Sequence, residues 1–266
     1  MIYLFKESAI RSLLFILLIQ FIAPNAFGQR SGREYYQLTV YHYKEEGQEK
    51  VIDEYLEKAF IPAMHRLKIS PVGVFKAREN DTASARKIVV LLPLKSLEMV
   101  ASLTDILPAD KIHLEKGDAY IESSYQSPPF SRMETILLRS FELAPPIQVP
   151  RLTGNKKERV YELRSYEGPT EKLYRKKVQM FNKGDEIGLF KRLNFNAVFY
   201  GEVLAGCHMP NLMYMTCFEN MDDRNLHWKA FVEDNQWKTI SAMPEYQHTV
   251  SRNEITFLYP ADYSEL

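Results

Sequence analysis

Apolar and polar positions alternate with a period of two over Tyr36–Tyr43 and again over Val160–Tyr166, the pattern of strands with two distinct faces. The period then lengthens. In "VIDEYLEKAFIPAMHRL" the residues Val51, Ile52, Tyr55, Leu56, Ala59 and Phe60 fall on one stripe at helical spacing, and Leu173, Tyr174, Val178 and Phe181 do the same in the second half. Two apolar runs follow in each half and read as a hairpin: "PVGVFKA" with "KIVVLLPL", and "NAVFYGEVL" with "LMYMTCF". A second helical region and a last strand complete each half. The order is βαββαβ, the ferredoxin-like arrangement, which has helices on one face of a four-stranded sheet.

A proline-rich seam, "LAPPIQVPRLTGNKKER", breaks both periods at Leu143–Arg159. Its run "NKKER" reads as a solvated linker, and "EKLYRKKVQ" as the wet face of a helix. On either side the chain repeats itself. "YQLTVY" at Tyr36 parallels "YELRSY" at Tyr161, and "SRMETILLRSFE" at Ser131 parallels "SRNEITFLYPAD" at Ser251. Matched anchors in the same order point to duplication of one unit. The expected fold class is α+β, with tandem ferredoxin-like βαββαβ units at 34–143 and 160–266 and a linker at 144–159. Two such units can cover each other's bare sheet faces or close into a barrel within one chain.

Composition narrows the partners. The chain has 34 basic and 34 acidic residues and no net charge, so no basic surplus exists to neutralise phosphates. Nucleic acid is not the expected partner, nor is a membrane held by charge. At the N-terminus Lys6 and Arg11 precede and flank "SLLFILLIQFIA", and "PNAFGQR" follows with small residues at Ala26 and Gly28. This reads as a signal peptide at 1–28, cut to leave Gln29 first, rather than as a membrane anchor, which needs about 20 apolar residues. The expected address is exported, periplasmic or secreted, with no stable membrane insertion after cleavage. Cys207 and Cys217 are the only cysteines. They flank the hairpin loop "HMPN"; if the loop centres near Met209, Cys217 faces Gly201 and a disulfide needs a shifted register.

The second half resembles the NIPSNAP family. Three ordered motifs carry this: the opening "YELRSY", "HWKAFVEDNQWKTI" with its W-x-x-F-x-x-D-x-x-W spacing, and the ending "FLYPADYSEL" with P-x-D-F/Y-S. The resemblance implies the dimeric α/β-barrel superfold, here in a single-chain form. That superfold also hosts cofactor-independent monooxygenases and haem-dependent chlorite-dismutase-like enzymes. The first half keeps the architecture and loses the motifs: it has no tryptophan, and Gln37 and Thr39 stand where Glu162 and Arg164 do.

Glu162, Arg164 and Tyr166 share one face of their strand. If Leu163 faces the helices, these three face the barrel interior, and the last strand turns Glu254 inward beside them. Tyr41 is expected inside by the same parity. Arg164 between Glu162 and Glu254 then reads either as part of a polar floor that binds a carboxylate or enolate, or as a structural salt bridge. A tyrosine such as Tyr41, Tyr166, Tyr200 or Tyr214 can line a pocket or pack its ring. The six histidines show no H-x-x-x-H or H-x-H spacing, so neither a metal nor another cofactor is expected. No phosphate loop or nucleophile elbow is present.

Trp228 and Trp237 are nine apart and would face opposite sides of one straight helix. A break at Asp234–Asn235 would bring both to the same core as a brace, separate from any site.

Three functions are compatible with this reading. One is binding of a small apolar or aromatic molecule between the two sheets. The second is a cofactor-independent monooxygenase or isomerase using Glu162, Arg164 and Tyr41. The third is a structural or interaction module, monomeric or homo-oligomeric. A continuous cavity exposing Arg164 would favour the first two; a filled interior with Arg164 locked in ion pairs would remove that site.

Overall fold

Eight strands close a single antiparallel barrel. The computed structural model describes residues 32–83 and 86–266. The expected signal peptide at 1–28, including its cleavage residues, lies outside the described residues.

The first unit runs β1 (Tyr35–Tyr43), α1 (Glu46–Tyr55), a π-helical turn at Leu56–Phe60, α2 (Ile61–Arg66), β2 (Gly73–Ala77) and β3 (Arg86–Leu94). It ends with α3 (Leu97–Ala109), α4 (Lys111–Lys116), α5 (Asp118–Ile121) and β4 (Arg132–Ser140). The second unit repeats this with β5 (Val160–Glu167), α6 (Glu171–Asn182), α7 (Glu186–Arg192), β6 (Ala197–Ala205) and β7 (Asn211–Phe218). Then come α8 (Met221–Glu233), α9 (Asn235–Ala242) and β8 (Arg252–Pro260). Each unit has the ferredoxin-like strand order, β2-β3-β1-β4 and β6-β7-β5-β8. The units join where β2 pairs with β8 and β4 with β6. Two open sheets thereby satisfy each other's edges, and residues 33–266 form one compact body.

Closure creates three apolar layers. The interior is filled by side chains from all eight strands, among them Tyr36 against Phe199 at 5.2 Å and Phe75 against Tyr161 at 4.8 Å between ring centres. Outside it, α1–α5 cover the first unit's sheet and α6–α9 the second's. Apart from the exposed starts of β4 and β8, both faces of the barrel wall are therefore largely covered, and this corrects the expected orientation of the polar strand residues. The apolar set Tyr161 and Leu163 belongs to the interior, which turns Glu162, Arg164 and Tyr166 outward to the helices. Tyr41 likewise faces the first unit's helices, edge-on to the rings of Tyr120 and Phe130. Glu254 pairs in register with Ser165 and is exposed, on the opposite face from Arg164, which pairs with Ile255.

Each unit sends its tail across the seam. After β8, the Ala261 N–H donates to Val74 O at 2.9 Å, Ser264 Oγ accepts from Val74 N–H at 2.9 Å, and Glu265 N–H donates to Val72 O at 3.1 Å. The Tyr263 hydroxyl donates to Asp53 on α1 at 2.6 Å, and Leu266 is buried in the barrel interior. Gly73 permits this approach, since a Cβ there would lie 2.8 Å from Leu266 Cδ1. The first unit answers with Phe141, which packs into the second unit's helix layer and donates its N–H to Tyr200 O at 3.0 Å. The "NKKER" run is engaged rather than merely solvated: the Lys156 ammonium donates to the carbonyls of Asp262 and Ser264 at 3.0 and 2.9 Å.

The β6–β7 hairpin pairs Glu202 with Leu212 and Gly201 with Met213, so it centres on Cys207 rather than Met209. Cys207 sits exposed in the loop and Cys217 is buried in the barrel; both are free thiols.

Candidate functional site

Glu162 is fully buried on β5 and sits at the centre of the second unit's polar network. Its Oε1 accepts from Arg164 Nε and Nη2 at 2.7 and 2.5 Å and from Arg224 Nη2 at 2.9 Å. Its Oε2 accepts from Arg224 Nε at 2.9 Å and Trp228 Nε1 at 2.7 Å. Arg224 and Trp228 stand four apart on α8, hence on one helix face. A carboxylate offers about four lone-pair positions, so these five contacts leave no acceptor free. Burial pushes the Glu162 carboxyl up, but the Arg224 hydrogen bonds, the charges of Arg164 and Arg224, and Trp228 outweigh it and hold its pKa below the ordinary value.

Arg164 is equally committed. Beyond Glu162, its Nη1 donates to the Tyr166 hydroxyl at 2.9 Å, and the guanidinium lies 3.7 Å from the centre of the Trp228 ring. Tyr166 and Tyr214 share a hydrogen bond at 2.9 Å. The result is a closed chain, Trp228–Glu162–Arg164–Tyr166–Tyr214, between sheet and helices. It has neither a free base nor an exposed cation. Of the five candidate residues, the structure brings together Glu162, Arg164 and Tyr166, and separates Tyr41 and Glu254 from them.

The tryptophan stretch belongs to the same network. The helix breaks at Asp234, whose side chain accepts from the N–H groups of Gln236 and Trp237 at 2.8 and 3.4 Å. Phe231 then meets Trp228 and Trp237 at 5.3 and 4.5 Å. The brace exists, but Trp228 also ties it to "YELRSY", so the two motifs are one structural unit.

Lys177 and Glu186 form a second buried pair, 2.8 Å apart. The Lys177 ammonium lies 4.7 Å from the Phe181 ring centre. This corrects the reading of "EKLYRKKVQ" as a wet face: Lys177 stands three after Tyr174 and four before Phe181, on the apolar stripe itself. That spacing was the available signal.

The open space lies elsewhere. A cavity of about 660 Å³ opens between the seam, α7 and the start of β6. Leu143, Pro145, Val149, Ile187 and Ala197 give it apolar walls. Tyr200 lines it; its side chain is 2% exposed, and its hydroxyl has no hydrogen-bond partner among the described residues. Burial and the nearby Glu186 carboxylate hold the Tyr200 hydroxyl protonated, well above its ordinary pKa. Lys191 and Arg151, both exposed, also line the cavity, and no ion pair engages either among the described residues. Among the described residues no three of His, Cys, Asp or Glu gather as a metal-binding set. No helix among them is long and apolar enough to cross a membrane.

With this geometry in hand, comparison with known proteins separates the halves. Residues 161–265 match the NIPSNAP family. The match leaves the first half uncovered, as its missing tryptophans and altered first strand imply. A NIPSNAP family protein from Agrobacterium tumefaciens str. C58 is 20% identical and aligns over 41% of this chain and 98% of its own, with a TM-score of 0.36. Across the whole barrel, the chain is similar to a candidate monooxygenase from Lactobacillus acidophilus NCFM. That pair shares 8% identity with a TM-score of 0.55, over 86% of this chain and 94% of the other. A second candidate monooxygenase, from Fusobacterium nucleatum subsp. nucleatum ATCC 25586, is similar at 6% identity and a TM-score of 0.55, over 86% of this chain and 93% of its own. At such identities the likeness is one of fold: a NIPSNAP-type half completing a dimeric-α/β-barrel arrangement within one chain. No curated protein matches the chain.

Proposed function

We propose that this protein binds a small apolar or aromatic molecule, and that it does so at the seam cavity rather than between the two sheets. The observation that carries this is the cavity itself. Its volume of about 660 Å³ lies within the range of small-molecule sites, and it combines apolar walls with a few polar groups. The barrel interior is instead occupied by packed aromatic and aliphatic side chains. The N-terminal segment supports an exported protein, so the ligand is one met outside the cytoplasm.

Native mass spectrometry of the mature chain tests this directly, as the mass of a co-purified molecule. A Ala197→Trp variant, which fills the cavity from β6, should lose that mass while the fold is retained by circular dichroism. Retention of the ligand by a folded Ala197→Trp variant counts against the cavity.

A second reading is a cofactor-independent oxygenase or isomerase acting on the same molecule. It is favoured by Tyr200, a protonated hydroxyl with no partner, able to donate to a developing oxyanion. Glu162 and Arg164 have no part in it, since their hydrogen-bonding capacity is used. Oxygen uptake with an aromatic or quinol-like substrate, without added cofactor, would be expected of the oxygenase and not of a binding module. If neither binding nor turnover occurs, a structural or interaction module is the remaining function.

A further inference from the structure

We infer that the seam cavity selects an aromatic carboxylate that also carries a carbonyl oxygen, with Lys191 and Arg151 holding the carboxylate and Tyr200 donating to the carbonyl. This inference rests on the proposed cavity and names its ligand class.

Charge is the first argument. Three charged side chains line the cavity: Lys191, Arg151 and Asp185. Asp185 is already occupied. Its Oδ2 accepts from Gln236 at 3.2 Å, and its carboxylate lies over Gly188 so closely that a Cβ there would be 2.1 Å from Oδ1. Lys191 and Arg151 have no such partner among the described residues. The lining therefore keeps a surplus of positive charge beside an apolar wall, which a monoanion satisfies and a neutral hydrocarbon does not.

Polarity at the floor is the second argument. The Tyr200 hydroxyl has no hydrogen-bond partner among the described residues, so an acceptor on the ligand supplies the contact it lacks. Because it stays protonated, it acts there as a donor, and a carbonyl or quinone oxygen is the complement. Asn196 lines the same space with its side-chain amide unpartnered among the described residues, and supplies a further donor or acceptor.

Shape is the third. Leu143 and Val149 are 59% and 58% exposed at the seam, and both line the cavity. Covering such side chains favours a ligand with an apolar body over a sugar or a polar amino acid.

The test uses two matched probes on the full chain, anthraquinone-2-carboxylate and its neutral carboxamide, measured by isothermal titration calorimetry. The carboxylate should bind about tenfold or more tightly than the amide, as one charge-assisted contact implies. Lys191→Met with Arg151→Met should abolish that preference, so that carboxylate and amide bind alike. Tyr200→Phe removes only an unpartnered hydroxyl, so the protein should fold normally and both probes should weaken about tenfold. Equal binding of the two probes to the parent protein overturns the anion selectivity while leaving the cavity reading intact. Binding of neither probe overturns the cavity reading and this inference with it. Unchanged affinity in Tyr200→Phe overturns the role of the hydroxyl.

Discussion

Trp228 donates its indole N–H to Oε2 of Glu162 at 2.7 Å, while its ring face receives the Arg164 guanidinium at 3.7 Å. One side chain thus touches both charges of a buried pair. A Trp228→Phe variant keeps a ring against Phe195 and Phe231 but removes the donor. A hydrogen bond to a charged group contributes about 1.5–3 kcal/mol, so stability should fall by that order. Denaturant titration should show a lower midpoint with an unchanged slope.

Removing the charge of Glu162 should cost more. Glu162→Gln leaves Arg164 and Arg224 facing each other across a neutral amide. Breaking a buried pair from one side costs about 3–5 kcal/mol. The experiment is the same titration, and a loss below about 1 kcal/mol would show that the network is better solvated than its burial implies.

The sign of the pH dependence follows from the lowered carboxyl. Because the Glu162 pKa is lower folded than unfolded, its contribution is fully present above the unfolded value of about 4.3. It is lost as pH falls through the folded pKa. The stability gap between the parent protein and Glu162→Gln should therefore be constant near neutrality and narrow below about pH 4. A gap that stays constant down to pH 3 would count against this assignment.

Lys177 and Glu186 offer a contrast within the same helix layer. Lys177→Met alone strands a buried carboxylate and should destabilise by about 3–5 kcal/mol. Adding Glu186→Leu should recover most of that loss, since an apolar pair of similar volume is often neutral or better. A double variant as weak as the single would mean that the pair orders α6 and α7 in a way packing cannot replace.

Much of this molecule was legible in the sequence because its signals are local. Strand alternation, the helical stripes at Ile52 and Tyr174, and the break at Asp234 depend on neighbours within a few residues. The duplication added the long-range order, since two ferredoxin-like units leave few ways to join. What misled was the rule that alternation marks one dry and one wet face. In a closed barrel with helices outside, both faces are largely covered, so Leu163 could not say which side held Glu162. Arg224 and Trp228 were invisible as partners because they lie 62 and 66 residues from Glu162. The cavity was less legible still. It forms from a proline-rich seam that carries no period of its own, and from a Tyr200 hydroxyl that only the fold turns towards it.

The tail that follows β8 gives a further expectation. Deleting Ser264–Leu266 removes the acceptor for Val74 N–H, the backbone bond to Val72 O and the buried Leu266 side chain. The combined loss should reach about 3–5 kcal/mol, comparable to truncating one large core residue together with a hydrogen bond. Thermal unfolding of the shortened chain measures it, and an unchanged midpoint would show that β2 is held by β3 and β8 alone.

That same crossing has a consequence for how the chain matures. Val74 finds its partner Ser264 only 190 positions later. During synthesis the first half can assemble its own sheet and helices, yet the border of β2 stays unfinished until nearly all of the second half has emerged. Pairing at that border is thus a late, long-range step in folding, of the kind that closes slowly because the intervening chain must be ordered first.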